Sequence, residues 1–203
     1  MMLRVTRIVE EVYPFLAFLW EMDLLKEGRL SDDVLRRAAD LGTIAHKCIQ
    51  EGVLLPEAIA DPNLVRMFGQ YQKFQASTDI KFVEVEPTVY FIKEDMMFHG
   101  HLDLDARIDG EPWLIDIKTH GLYKDYDERE TFKPINANKK AAVNLQTWLY
   151  SLTENGKYKD HKRGVLLINQ YGCELIELKR EPRQETQDAV FEFIKWHTNL
   201  VTF

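Results

Sequence analysis

Two aspartates and a lysine in the middle of the chain combine side chains that can bind a metal ion and activate water. Asp103 ends the segment Gly100-His101-Leu102-Asp103, and Asp116 and Lys118 lie in Ile115-Asp116-Ile117-Lys118. Mg²⁺ takes carboxylate oxygens and keeps several of its waters. A lysine beside the ion can orient or help deprotonate its water, or, as an ammonium, offset charge on a phosphate. These residues therefore predict a divalent-metal site.

The dipeptide Asp109-Gly110 between the two segments predicts a hairpin that would bring them together. With this turn, Asp103 falls opposite Asp116, and His101 falls opposite Lys118. Opposed residues of an antiparallel pair have Cβ atoms about 5 Å apart, so the two carboxylates would repel each other until a cation bound. Side chains alternate along a strand, and the reverse face is predicted to be apolar: Leu102, Leu104, Ala106, Trp113, Ile115 and Ile117.

Each of these residues also has an ordinary structural interpretation. Asp and Lys on the outer face of a hairpin are usually a solvated surface. His46 lies at the edge of the apolar face of a predicted helix, where a partly buried histidine is common. Gln146 and Tyr150 share a helix face because they are four residues apart, and amphipathic helices often carry such pairs.

The hydrophobic periodicity predicts the elements that would position these side chains. Helices are predicted over residues 5–25, 31–50, 63–75, 139–152 and 182–201. Strands are predicted over residues 82–86, 89–92, 97–119 as the hairpin, 164–169 and 173–179. This order indicates an α/β (α+β) fold with one central sheet. We expect a single domain over residues 1–203, with a mainly helical part at 1–80 and a sheet-containing core at 81–203.

Composition and charge limit the classes of protein. The chain has 203 residues, 45% of them hydrophobic, which is enough for a folded core. It has no run of about eighteen apolar residues and no apolar signal-peptide core, so we expect a cytoplasmic protein without a membrane partner. Two cysteines exclude a four-cysteine zinc or iron–sulfur site. The net charge of −7 does not suit a passive DNA-coating protein, but it suits an enzyme that collects carboxylates.

Four blocks of the sequence, in order, resemble the RecB-like branch of the PD-(D/E)XK nuclease superfamily, and within it the compact phage exonuclease-type members. The blocks are Val5–Glu10 with Val34–His46, which ends in a Gly-x-x-x-His motif, then Gly100-His101-Leu102-Asp103 as Gly-x-x-Asp, Ile115-Asp116-Ile117-Lys118-Thr119 as Asp-x-Lys-Thr, and Gln146 to Tyr150 as Gln-x-x-x-Tyr. The resemblance spans about residues 5–150. His120 precedes Gly121 here, whereas a glycine commonly follows Lys-Thr directly in the family.

The resemblance implies roles for the matching positions. His46, Asp103, Asp116 and the backbone carbonyl of Ile117 would bind one or two Mg²⁺ or Mn²⁺ ions, and Lys118 would be the catalytic lysine. Gln146, Tyr150 and Thr119 would support the site or contact DNA. Family members often carry a glutamate before the Gly-x-x-Asp strand. Glu84 and Glu86 are both candidates for this position, and we include Glu86 among the predicted site residues. The iron–sulfur cluster of some relatives cannot form here.

The implied fold is a restriction-endonuclease-like core, in which helices flank a central mixed sheet and an N-terminal helical region precedes it. The implied activity is hydrolysis of DNA phosphodiester bonds, with exonuclease action expected. Two alternatives stay open: a catalytically silent DNA-binding or scaffold module of the same fold, and an endonuclease. Besides DNA, a phage recombination or repair protein and a second copy of the chain are partners that the resemblance allows. The setting would be the cytoplasm of a bacterial host, with a phage gene as one origin.

Overall fold

The computed structural model describes residues 2–13, 32–93, 96–153 and 155–201. Its helices are α1 Val5–Val12, α2 Asp32–Glu51, α3 Pro56–Ile59, α4 Pro62–Ser77, α5 Ala137–Ser151 and α6 Gln184–Val201. Its strands are β1 Met2–Arg4, β2 Ile80–Val85, β3 Thr88–Lys93, β4 Met96–His101, β5 Leu104–Ile108, β6 Glu111–Thr119, β7 Lys162–Asn169 and β8 Gly172–Glu177. The part of the predicted first helix that follows Tyr13 lies outside the described residues, as does the predicted helix start at Ser31.

The strands form two sheets. The larger has the order β2-β5-β6-β7-β8, and the smaller has the order β1-β4-β3. In the larger sheet β6 and β7 are parallel, while the other neighbours are antiparallel. Parallel neighbours need a crossover connection, and α5 lies in the segment that links β6 to β7. The predicted α/β (α+β) class with a mixed sheet flanked by helices is therefore confirmed.

Two hydrophobic clusters cover opposite faces of β6. Trp113, Ile115 and Ile117 belong to the cluster that packs against α2, α3 and α4. Leu114, one residue out of phase, belongs to the cluster that also contains residues of α1, α5 and α6. Asp116 and Lys118 share the Leu114 face because side chains alternate along a strand. The carboxylate and the ammonium therefore face the α5 side of the sheet.

The predicted hairpin is right near its turn and wrong beyond it. Asp109 and Gly110 have φ of 51° and 83°, as a tight two-residue turn requires, and the ladder runs from Ile108–Glu111 to Leu104–Ile115 as predicted. The ladder ends there: β4 pairs with β3 in the smaller sheet. Asp103 thus does not pair with Asp116, and Asp116 pairs with Val165 of β7 instead.

A bend at residues 102 and 103 explains the difference. The Leu102 amide donates to the Pro87 carbonyl at 3.1 Å, and the Glu86 amide donates to the Asp103 carbonyl at 3.0 Å. Leu102 is fully buried in the cluster with α1 and α5, so its predicted place on the face of Leu104 is wrong. His101 pairs with Thr88, so its predicted position opposite Lys118 is also wrong.

None of the helices among the described residues combines the length and the apolar content that a bilayer span needs.

Candidate metal and catalytic site

Four side chains from three places in the fold meet where β5 begins. His46 comes from α2, Asp103 from the bend between β4 and β5, and Asp116 and Lys118 from β6. His46 Nδ1 lies 3.7 Å from Asp103 Oδ1, and Lys118 Nζ lies 2.8 Å from Asp116 Oδ2. The structure thus brings together the residues that the sequence singled out, by a route other than the predicted cross-strand pairing.

Asp103 binds the edge of β6 that β5 leaves uncovered. Because β5 starts at Leu104, opposite Ile115, the Ile117 peptide group has no ladder partner on that side. The Ile117 amide instead donates to Asp103 Oδ2 at 2.6 Å. The N–H and C=O of one strand residue point to the same side, so the Ile117 carbonyl faces the side on which Asp103 lies. This arrangement matches the role that the resemblance gives to that carbonyl.

Asp116 is the most buried charged group of the site, with only 1% of its surface exposed. Burial raises its pKa to about 6; the charge of Asp103 adds to the shift, while the charge of Lys118 opposes it. No donor in the described part of the chain reaches Asp116 Oδ2 with hydrogen-bond geometry, although Lys118 Nζ lies beside it. The buried carboxylate therefore relies on one cation, Lys118, while burial and the Asp103 charge disfavour its ionised form.

Asp103 and Lys118 are held in their charged forms. Burial raises the pKa of Asp103, but the His46 imidazole, the Lys118 charge and the Ile117 amide outweigh it and bring the pKa below its ordinary value. Burial lowers the pKa of Lys118, but the charges of Asp116 and Asp103 outweigh this and raise it. With Asp116 and Asp103 ionised beside it, Lys118 is therefore an ammonium at neutral pH, which can offset charge or donate a hydrogen bond.

The four sequence blocks also touch one another through glycines. A Cβ on Gly42 would lie 3.3 Å from Thr119 Oγ1, and a Cβ on Gly100 would lie 2.5 Å from Tyr150 Cε1. Tyr150 is 1% exposed, and its hydroxyl accepts a hydrogen bond from Gln146 Nε2 at 3.0 Å. The glycines of two motifs thus admit the Thr and the Tyr of the other two. Tyr150 is packed beneath β4, and the half-buried Gln146 lines a cavity together with Lys118.

The structure separates the two candidate glutamates. Glu86 lies beside Asp103 through the backbone hydrogen bond described above, and its Oε1 accepts from Gln50 Nε2 at 3.1 Å, one helical turn after His46. Glu84 Oε2 instead lies 2.7 Å from Lys157 Nζ. Glu86 therefore borders the site, whereas Glu84 belongs to a different cluster.

The donor chemistry of the site suits a hard divalent cation, although the side chains do not already form a cage. Among the described residues, no three His, Cys, Asp or Glu side chains are arranged as a metal-binding group. Lys118 occupies the place beside Asp116 that an ion would take, and one oxygen of Asp103 is bound by the Ile117 amide. Mg²⁺ and Mn²⁺ nevertheless bind carboxylate oxygens. The two carboxylates of this site, one of them fully buried, offer such oxygens close together.

The sequence analysis did not single out a second buried carboxylate, that of Asp105. Asp105 is 2% exposed and lies 3.4 Å from His161 Nε2 and 3.7 Å from Lys157 Nζ. Lys157 Nζ also donates to the Tyr158 hydroxyl at 2.8 Å. These partners come from the segment before β7, about fifty residues away, so no local pattern around Asp105 could have indicated them.

Comparison with known proteins adds little to this geometry. No family model matches the sequence, and no curated protein matches it. A solved structure, of SSO0001, is similar over 94% of this chain and 72% of its own, with 16% identity and a TM-score of 0.45. A likeness this distant carries no argument about function.

Proposed function

We propose that this chain is a metal-dependent DNA nuclease of the RecB-like PD-(D/E)XK kind, and that it acts as an exonuclease. The observation that supports this best is the meeting of His46, Asp103, Asp116 and Lys118 from separate segments. Packing alone does not require two carboxylates, an imidazole and an ammonium at one strand edge, where burial and repulsion both disfavour the charges. A shared role in catalysis accounts for all four.

Asp116, Asp103, His46 and the Ile117 carbonyl would hold one or two Mg²⁺ or Mn²⁺ ions. The ion supplies Lewis acidity toward the phosphodiester and toward the attacking water. Asp116 is the ligand whose charge is least compensated, so it gains most from the ion. Lys118 must leave Asp116 Oδ2 when the ion binds, and its ammonium then offsets charge on the phosphate. Tyr150 keeps β4 in place from behind.

Hydrolysis of labelled linear DNA with Mn²⁺ or Mg²⁺ tests the activity. We expect the wild type to shorten the DNA from its ends, and Asp116→Ala to lose more than about 100-fold of the rate, because the loss of outer partners of a metal ligand alone costs about 10- to 100-fold. Asp188→Asn, a change of an exposed carboxylate on α6, is the matched control and should retain the rate. Equal rates for wild type and Asp116→Ala would show that the proposed site is not catalytic.

Thermal unfolding separates a nuclease from a catalytically silent module. A ligand at a hundred times its Kd stabilises the folded state by about 2.7 kcal/mol. We expect Mn²⁺ to raise the Tm of the wild type and not that of Asp103→Ala. A module that does not bind metal would show the same Tm with Mn²⁺ and with EDTA. Closed circular DNA separates the third alternative, since only an endonuclease cuts it.

A further inference from the structure

The outer face of the smaller sheet carries two histidines, two residues apart on one strand. His99 and His101 both lie on β4. Phe98 and Gly100 are buried on the inner face of the same strand, so the two histidines share the opposite face. The centroids of their rings lie 6.4 Å apart, and the ring planes are nearly perpendicular. The proposed function uses neither imidazole.

Neighbouring side chains on β3 hold both rings. Thr88 pairs with His101, and Tyr90 pairs with His99, in the ladder between β3 and β4. Thr88 Oγ1 and His101 Nδ1 form a hydrogen bond of 3.3 Å, which leaves His101 Nε2 for another partner. The Tyr90 ring stacks on the His99 ring, with centroids 6.4 Å apart and 23° between the planes. A hydrogen bond to the second ring nitrogen is how proteins orient a histidine that binds a metal ion.

The spacing lets both imidazoles reach one ion. Residues i and i+2 of a strand are about 7 Å apart on the same face. An imidazole nitrogen binds Zn²⁺ at about 2.0–2.1 Å, so two rings that share a tetrahedral ion have centroids roughly 5 Å apart. The observed 6.4 Å exceeds this by only about 1.5 Å. Because His101 is exposed and His99 is half-buried, rotation of the side chains closes the gap.

The donor atoms and the charge of this face determine the class of ion. Imidazole nitrogens suit Zn²⁺, Cu²⁺ and Ni²⁺, whereas Mg²⁺ and Ca²⁺ take oxygen ligands. Among the described side chains that β1, β3 and β4 place on this face, none is a carboxylate. Arg4, the exposed partner of His99 on β1, adds a positive charge that opposes any cation. An ion is therefore held here by coordination to nitrogen and not by opposite charge.

We propose that His99 and His101 bind one divalent transition-metal ion of the Zn²⁺, Cu²⁺ and Ni²⁺ class on the outer face of the smaller sheet. The ion binds the two imidazoles, and water fills its remaining positions. Thr88 orients His101, and Tyr90 orients His99. This site shares no residue with the carboxylate site of Asp103 and Asp116, and it does not rest on the proposed function.

Titration of the full chain with Zn²⁺, followed through the imidazole NMR resonances, tests the site residue by residue. We expect the His99 and His101 resonances to shift together with Zn²⁺ and to stay in place with Mg²⁺. Asp116→Ala should keep these shifts. His101→Ala should weaken Zn²⁺ binding at His99 by more than about tenfold, because the loss of an outer partner of a ligand alone costs about 10- to 100-fold. His161→Ala is the matched control and should leave the affinity unchanged, since His161 faces Asp105.

Two further variants test the surroundings of the ligands. Thr88→Val keeps the shape of the side chain and removes its hydroxyl, so it should weaken Zn²⁺ binding several-fold. Arg4→Gln removes the opposing charge and should strengthen Zn²⁺ binding several-fold. Arg7→Gln is the control for charge, because Arg7 pairs with Glu10 and Glu11 on α1.

Three results would overturn the inference: no shift of the His99 and His101 resonances at millimolar Zn²⁺, equal Zn²⁺ affinity in the wild type and His101→Ala, or equal shifts with Mg²⁺. The two proposals can fail separately. If Zn²⁺ binds the two histidines but labelled DNA with Mn²⁺ gives no products, the nuclease proposal fails and the histidine site stands. If DNA is degraded but the two histidines do not respond to Zn²⁺, the nuclease proposal stands and the histidine site fails.

Discussion

Two buried aspartates on neighbouring strands have opposite electrostatic surroundings. Asp105 on β5 and Asp116 on β6 are 2% and 1% exposed. Asp105 has two cationic or protonatable partners, His161 and Lys157, and no second carboxylate among its recorded ionic contacts in the described chain. Asp116 has one, Lys118, and the Asp103 charge acts against it. One carboxylate is compensated by the fold, and the other is not.

The two clusters therefore differ in how far the neighbours of the buried carboxylate offset its charge. The Asp105 cluster joins β5 to the segment before β7, so its charges hold distant parts of the chain together. The Asp116 cluster joins α2 and the bend before β5 to β6. The Lys118 ammonium lies 2.8 Å from Asp116, but burial and the Asp103 charge outweigh it. We therefore expect the two clusters to respond oppositely to neutralisation.

The largest expected effect is a gain in stability when Asp116 is neutralised. In EDTA the folded state holds a proton on Asp116 up to a pKa of about 6, above the ordinary value of 3.8. The folded state therefore loses stability relative to the unfolded state as pH rises from about 4 to about 6, and the full loss persists above pH 6. Asp116→Asn cannot ionise, so its unfolding free energy should exceed that of the wild type by at most about 3 kcal/mol at pH 8, at about 1.4 kcal/mol per pKa unit.

Urea denaturation at pH 4, 6 and 8 measures this difference. At pH 4 the two proteins should be nearly equal, because Asp116 is protonated in the folded state. The same series with Asp188→Asn is the control. It gives the difference in unfolding free energy from the wild type when an exposed carboxylate is neutralised. Curves for the wild type and Asp116→Asn that stay parallel from pH 4 to pH 8 would contradict an uncompensated Asp116.

The contrast also shows what the sequence could and could not predict. Asp109-Gly110 predicted the register of β5 and β6 from Leu104 to Ile115, because a tight turn determines the pairing near it. The predicted pairing is wrong at Asp103. Leu102 is buried in the second hydrophobic cluster, and the chain before it belongs to the smaller sheet. The structure nonetheless brings His46, Asp103, Asp116 and Lys118 together, because motif order does not depend on which strands pair.

Local sequence patterns could not predict the environments of the two carboxylates. Asp105 and Asp116 both occur as polar positions in alternating strands, and they look alike in sequence. What distinguishes them is contributed by Lys157 and His161 in one case, and by the bend at Asp103 in the other. The parallel pairing of β6 with β7 was likewise not specified by the sequence analysis.

The second effect is a loss of stability when Asp105 is neutralised. Asp105→Asn removes the charge that pairs with Lys157 and His161, and leaves these groups partly unsatisfied. We expect the unfolding free energy at pH 7 to fall by about 1–3 kcal/mol, the usual cost of such a loss. Glu84→Gln is the matched control, because the Glu84 side chain is 49% exposed and its pair with Lys157 should contribute less than about 1 kcal/mol. An Asp105→Asn protein as stable as the wild type would show that both aspartates are uncompensated.

The smallest expected effect is the loss of stability when Tyr150, at the Asp116 cluster, or Tyr158, at the Asp105 cluster, is changed. Tyr150 and Tyr158 are 1% and 2% exposed; the Tyr150 hydroxyl accepts from the Gln146 amide, and the Tyr158 hydroxyl accepts from the Lys157 ammonium. Tyr150→Phe and Tyr158→Phe should each lower the unfolding free energy by about 1 kcal/mol, as the loss of one hydrogen bond does. Their salt dependence should differ, because screening weakens an interaction with a charged, partly exposed lysine more than one between neutral buried groups. In 1 M NaCl the loss in Tyr158→Phe should shrink while the loss in Tyr150→Phe stays constant. If both losses shrink equally, charge does not distinguish the two clusters at their tyrosines, and the contrast is confined to the aspartates.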